Sequence, residues 1–205
     1  MSVFQSIYNK INSSLFSINN GYIPIAKNGF WKYRKEPAFS LHKTAEIFQK
    51  IKGKTIVEIG TGLHGNLSGN SILVWLEETS AERIIAIDLN PESIDELRKY
   101  VQKDSRLELV VADGNNYLKE YDTFIDLLYL DYWTPDKSGE LPGTGRAESY
   151  LNTYINTKSK LSKSSMILID DTDHIHPWKH TLIVPEARKD GFKVIFTGRQ
   201  TLLKR

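Results

Sequence analysis

The chain has 205 residues, 40% of them hydrophobic and 25% charged, which suits one well-buried α/β domain and leaves no room for two of ordinary size. Its 27 basic and 25 acidic residues give a formal charge of +2, too small a field to grip a phosphate backbone, so nucleic acid is not the expected partner. There is no cysteine, which excludes disulfides and thiolate metal sites; no basic leader with an apolar run and no membrane-length apolar stretch is present, so a cytoplasmic protein without membrane contact is expected.

At the N-terminus Phe4, Ile7, Tyr8, Ile11, Leu15 and Ile18 recur at spacings of three and four. That period predicts an amphipathic helix, which packs on its own domain, covers a substrate or forms a homodimer contact. Asn19, Asn20, Gly21 and Pro24 end the pattern. The run NGFWKYRKE from Asn28 to Glu36 mixes aromatics with cations, as in an acceptor pocket or a solvated loop anchored by Phe30 and Trp31. Residues 1–36 are thus expected to form a helical extension or lid, ahead of a main domain at 37–205. A second helix after Pro37 carries Leu41, Ala45 and Phe48 on one face.

Five short, mainly apolar runs follow that do not alternate strictly: KTIVEIG, RIIAID, LELVVAD, FIDLLYLD and SMILIDD. Such runs suit strands buried on both faces. The helical stretches SILVWLEE, PESIDELRKYV and RAESYLNTYI lie between them, and this alternation predicts a parallel sheet with right-handed crossovers. The tail FKVIFTGRQTLLKR reads as an antiparallel hairpin at the sheet edge, turning near Gly198.

Ligands of open parallel sheets gather at the carboxyl ends of the strands, and the polar residues fall there. In EIGTGLHG, Gly60, Gly62 and Gly65 allow a tight turn and close approach of a ligand to the backbone. The same spacing serves the pyrophosphate of NAD or a turn with no ligand. Glu58 would repel a pyrophosphate but suits the cationic amino-acid end of S-adenosylmethionine. Asp88 ends the second strand where ribose hydroxyls would sit, and Asp113 ends the third where an adenine amino group could donate. Taken singly, each aspartate is equally a loop or cap residue.

VEIGTG, AIDLNPE and VVADG resemble successive motifs of the class I S-adenosylmethionine-dependent methyltransferases, over roughly residues 40–205. The resemblance implies a Rossmann-like α/β fold: a seven-stranded, mostly parallel sheet in the order 3-2-1-4-5-7-6, with an antiparallel last strand and helices on both faces. It places Gly60 and Gly62 beneath the methionine moiety, Asp88 on the ribose and Asp113 near the adenine, with Thr61, Leu89 and Gly114 in the same motifs. The loop LHGNLSGNS is longer than usual in that family, so Ser71 rather than His64 is expected to meet the cofactor carboxylate.

The fourth and fifth strands end in LDYW and LIDDTDH, which that sheet order makes neighbours. Asp131, Asp170 and Asp171 would then repel one another unless protonated, paired with cations or bridged by a metal, and oxygen ligands suit magnesium, calcium or manganese. The arrangement resembles the catechol O-methyltransferase branch, which implies Mg2+ held by Asp131, Asp170 and Asp171, with Asp171 in place of an asparagine and Asp131 also near the cofactor amine. In the opposing reading Asp170 and Asp171 cap a turn and Lys137, Arg146 or Lys179 neutralises them. The branch's catalytic lysine falls on Thr134, so the candidate bases are Lys137, His174 and His176. TPDKSGELPGTG suits a mobile acceptor loop, with Tyr132 and Trp133 as an apolar wall or as its packing. No Asn-Pro-Pro-Tyr or Asp-Pro-Pro-Tyr run follows the fourth strand, so oxygen is the expected acceptor atom. The expected function is O-methylation of a small-molecule hydroxyl. The rivals are an NAD-dependent oxidoreductase, a non-catalytic cofactor-binding module, and the same chemistry on protein or RNA.

Overall fold

The computed structural model describes residues 39–62, 70–101, 104–135, 143–174 and 177–205. The extension expected over residues 1–36, its homodimer or lid role, and the candidate residues His64, Lys137 and His176 lie outside them. The described elements in chain order are α1 (Phe39–Lys50), β1 (Thr55–Ile59), α2 (Asn70–Glu78), β2 (Arg83–Asp88), α3 (Pro91–Tyr100), β3 (Leu107–Val111) and α4 (Gly114–Glu120). There follow β4 (Ile125–Leu130), α5 (Thr144–Thr157), a 3-10 turn at Lys158–Lys160, β5 (Leu161–Ile169), α6 (His180–Lys189), β6 (Lys193–Phe196) and β7 (Thr201–Lys204).

The seven strands form one sheet in the order β3-β2-β1-β4-β5-β7-β6, the order expected from the family resemblance. β1 to β5 pair in parallel, and β7 is antiparallel to both β5 and β6. Ile59 stands opposite both Ile87 and Leu130, and Leu130 opposite Ile169, so the carboxyl ends of β2, β1, β4 and β5 finish level. The described residues that follow those ends lie at one edge of the sheet.

Burial on both faces explains the mainly apolar runs. Val57, Ile59, Ile85, Ile87, Leu128 and Ile167 point to a core shared with Leu118 of α4, Tyr150 and Tyr154 of α5 and Ile183 of α6. Their neighbours Ile56, Ile84, Ala86, Leu127, Tyr129 and Leu168 point to the other core, with Phe48 of α1, Trp75 of α2 and Leu97 of α3. Alternation at a period of two thus persists, with an apolar partner on each side.

Two helices lack a legible sequence signal. α4 has only Gly114 and Leu118 buried, too few positions to establish a period, and α6 contains Pro185, which removes one helical N–H and reads as a break. β5 also begins at Leu161, earlier than its SMILIDD run suggests, with an irregular register against β4 between Ile125 and Leu127.

One polar group interrupts the second core. Glu58 is 1% exposed, and its two carboxyl oxygens accept hydrogen bonds from the Ser71 hydroxyl at 2.6 Å and the Trp75 indole N–H at 2.7 Å. The carboxyl rivets β1 to the first turn of α2, and Trp75 packs edge-on against Tyr129 at 6.0 Å. Burial pushes the Glu58 pKa from its ordinary 4.5 up to about 8, against the pull of the Ser71 and Trp75 hydrogen bonds. Between those two values the unfolded chain ionises while the folded one keeps its proton, so folding stability falls as pH rises from 4.5 towards 8 and then levels. Glu58→Gln can keep both hydrogen bonds with Ser71 as acceptor. In urea titrations the variant should gain on the wild type progressively across that window. Trp75→Ala, which empties a fully buried site, should lose about 3–5 kcal/mol at every pH.

Candidate active site

The glycine turn is set by the backbone it crosses. Beyond Ile59 the chain adopts φ +89° at Gly60 and +96° at Gly62, and a Cβ at Gly60 would lie 2.2 Å from the backbone oxygen of Asp131. Only glycine allows β1 to leave the sheet so close to the end of β4. Gly60 N–H donates to Ile87 O at 2.8 Å, and the N–H and hydroxyl of Thr61 donate to Asp88 Oδ2 at 2.8 and 3.1 Å. Asp88 Oδ1 accepts from Asn90 N–H at 2.8 Å, and Asn90 in turn caps α3 through Glu92 N–H at 2.9 Å. The residue expected on a ribose therefore also binds the glycine turn to β2. Leu89, beside it, is 71% exposed.

Other candidates at this end have structural duties. Asp113 is exposed and caps α4, with Oδ1 accepting from Asn116 N–H at 2.9 Å, while Gly114 is buried at the start of that helix. Ser71, expected to meet a cofactor carboxylate, directs its hydroxyl to Glu58. Glu58 itself faces the protein, so its influence at this end is exerted through the position of α2.

At the ends of β4 and β5 the three aspartates converge as the sheet order requires. Asp131, Asp170 and Asp171 each offer a carboxylate oxygen, all within 4.8 Å of one another. Consecutive strand residues face opposite ways, and the convergence of Asp170 with Asp171 depends on a left-handed turn at Asp171, φ +52°, a conformation aspartate tolerates. Asp170 N–H still pairs with Leu130 O at 3.1 Å.

Two cations of the same chain enter this cluster. Lys179, whose side chain is 3% exposed, places Nζ 3.0 Å from Asp171 Oδ2 and 3.3 Å from Asp131 Oδ1. Arg199 lies 3.0 Å from Asp171 Oδ1 and 3.6 Å from Asp170 Oδ2. Asp170 Oδ1 is buried without a hydrogen-bond partner among the described residues. Burial, then the charge of Asp170, raises the Asp131 carboxyl well above the usual carboxylate range, while Lys179 pulls it down. On the other side Tyr129 OH donates to Asp131 Oδ2 at 3.4 Å and receives Gln200 Nε2 at 2.9 Å, and Ser40 of α1 donates to Gln200. A polar chain thus runs from α1 to the cluster.

Beside the cluster planar groups lie against one another. The Arg146 guanidinium lies 4.9 Å from the ring centre of Trp133 and 4.5 Å from that of Trp178, and His174 stacks on Trp178 at 4.2 Å. His174 is therefore placed in this stack, outside the group of three carboxylates. Tyr132 stacks on Tyr150 at 4.4 Å and Thr134 approaches Ser149 at 3.4 Å. Of the cations weighed for neutralising the aspartates, Lys179 does so and Arg146 stands in the stack. Arg199 escaped sequence reasoning because it lies in the hairpin turn, which only the β5–β7 pairing brings alongside β5; Thr172 holds that turn through Gly198 O at 2.7 Å and Arg199 O at 2.6 Å.

The donor set bears on the metal implied by the catechol O-methyltransferase resemblance. Three converging carboxylates are the right atoms for a hard cation. Lys179 and Arg199, however, already contact all three, and an ammonium between two of the ligands does not fit a divalent ion beside it.

No family model matches the sequence, and no curated relative matches it. Solved structures do match. An SAH-bound methyltransferase from Podospora anserina superposes with a TM-score of 0.66 at 19% identity, over 99% of this chain and 97% of the other. A putative caffeoyl-CoA O-methyltransferase from Staphylococcus aureus gives 0.63 at 10% identity, over 97% and 98%. Spermidine synthase from Thermotoga maritima gives 0.53 at 18% identity, over 80% of this chain and 57% of its own. The chain has the fold that these methyltransferases and this synthase share.

Proposed function

We propose that the chain is an S-adenosylmethionine-dependent methyltransferase acting on a hydroxyl of a small molecule. The observation that carries this reading is the adjacency of two sites along one sheet edge. The glycine turn with Asp88 and Asp113 at the ends of β1 to β3 suits a nucleoside, and the polar cluster and planar wall at β4 and β5 suit an acceptor. The SAH named with the Podospora anserina structure supports the choice of cofactor over NAD.

The residues fit that cofactor. Gly60 lets the turn pack directly on the backbone of Asp131, which brings the turn and the end of β4 together at one edge. Asp88 Oδ2 is occupied by both donors of Thr61, whereas Oδ1 accepts only the Asn90 N–H and keeps capacity for a ribose hydroxyl; the exposed Leu89 offers an apolar face for adenine, and Asp113 stands ready for its amino group. When bound, S-adenosylmethionine supplies an electrophilic methyl on a sulfonium. The protein's work is then to hold an oxygen in line with it and keep water out.

Asp131 joins the two sites, since its backbone touches the Gly60 turn and its carboxyl lies in the cluster. That position makes it, in its ionised form, the group among the described residues that we assign to take the acceptor's hydroxyl proton at a carboxylate oxygen. The spermidine synthase likeness suggests a cationic amine acceptor instead. Lys179 already supplies the ammonium these carboxylates would bind, which favours the hydroxyl.

Among the described residues no helix is long and apolar enough to cross a membrane, and the near-balanced charge favours a small acceptor over nucleic acid. Calorimetry should detect SAH binding in the micromolar range and none of NAD. Asp88→Ala should weaken SAH by about 1–3 kcal/mol, the cost of leaving buried polar partners unpaired. Tight NAD binding with no response to SAH would overturn the reading. RNA or duplex DNA in about 150 mM salt should bind no tighter than the nonspecific range of roughly 10⁻⁴ to 10⁻⁶ M, and a sequence-selective nanomolar complex would remove the small-molecule acceptor.

A further inference from the structure

We propose that Lys179 is a built-in replacement for a divalent cation: its ammonium holds Asp131 and Asp171 in place at the acceptor centre, and the site works without metal. The proposal rests on the reading of this cluster as the acceptor end of a methyltransferase. It differs from what the catechol O-methyltransferase resemblance implies.

The position of Nζ is the first support. It contacts carboxylates from two strands, 3.3 Å from Asp131 and 3.0 Å from Asp171, and so bridges the ends of β4 and β5 as a metal ligated by both would. A divalent ion sharing those oxygens would stand within a few ångström of the ammonium, in a site that screens little, and be repelled. Arg199 adds a second fixed charge from the hairpin side. The two cations thus offset part of the mutual repulsion of the three carboxylates without an ion.

The second support is preorganisation. Lysines that merely screen surface charge are mobile, but this one is walled in. Its residue is 2% exposed, and its ammonium lies over the ring of the fully buried Tyr150 at 5.6 Å. The backbone just before it is held from two directions. Trp178 is stacked between Arg146 and His174, and its N–H donates to Thr181 Oγ1 at 2.8 Å. At Gly143, φ +88°, a Cβ would meet Pro177 O at 1.7 Å, so α5 begins directly against the segment that carries Lys179. The planar stack thereby acquires a purpose: it fixes the approach of a positioning residue to the cluster. The feature that most favours a metal is the unpartnered Asp170 Oδ1, so direct titration decides.

The experiment titrates the full chain with Mn2+, following free Mn2+ by electron paramagnetic resonance, while calorimetry records SAH binding with and without chelator. The wild type should take up no Mn2+ even at millimolar concentration, and SAH affinity should be unaffected by chelator. Lys179→Met keeps the apolar stem without the charge. It should bind Mn2+ at least about tenfold more tightly than wild type, and this gain should vanish in the double variant with Asp171→Asn. Lys179→Arg, which retains the charge, should stay without uptake and stands in if Lys179→Met fails to fold. Mn2+ uptake by the wild type that Asp171→Asn abolishes would overturn the proposal, as would a folded Lys179→Met with no gain. Either result alongside normal SAH binding leaves the methyltransferase reading intact, whereas loss of SAH binding altogether strikes that reading instead.

Discussion

The level finish of the parallel strands is the constraint on which the rest of this molecule depends. The central strands are mainly apolar towards their carboxyl ends, and β2, β4 and β5 meet an aspartate where the sheet stops. Parallel hydrogen bonding then carries Asp88, Asp131 and Asp170 to a single edge. Asp170 is buried there, and burial also disfavours the charged form of Asp131. At the edge, backbone N–H groups and cations reach them.

Two carboxyl groups near that edge illustrate how differently the fold can treat the same chemistry. Glu58 is buried, hydrogen-bonded by neutral donors and pushed towards its protonated form, so it acts as a neutral rivet between β1 and α2. Asp171 faces Lys179 and Arg199 and belongs to an ionic cluster. The difference comes from partner supply: α2 brings Ser71 and Trp75, whereas α6 and the terminal hairpin bring positive charge.

The hairpin therefore has a role beyond closing the sheet. By inserting β7 between β5 and β6 it places Gln200 under Tyr129 and Arg199 beside Asp170 and Asp171. Through Tyr129 and Ser40 the same turn links α1 to Asp131. Helix, sheet and tail thus meet at the carboxylate cluster.

Much of this was legible in the sequence. Mainly apolar runs ending in Gly60, Asp88, Asp113, Asp131 and Asp170 determine a buried parallel sheet with polar residues gathered at one edge, because burial and strand period are local properties. The motifs at those ends carried the resemblance from which the strand order followed. Helices α4 and α6 left no clear trace, one for want of buried positions and the other because Pro185 and its His-rich approach obscure the period. Only the tertiary structure decided what surrounds each carboxylate. That Ser71 serves Glu58, that Asp171 turns left-handed to join Asp170, and that Lys179 and Arg199 share the cluster all depend on contacts between elements far apart in the chain. A charge in sequence has no partner until folding brings one within a few ångström, and the partner determines whether it is a rivet, a base or half of an ion pair.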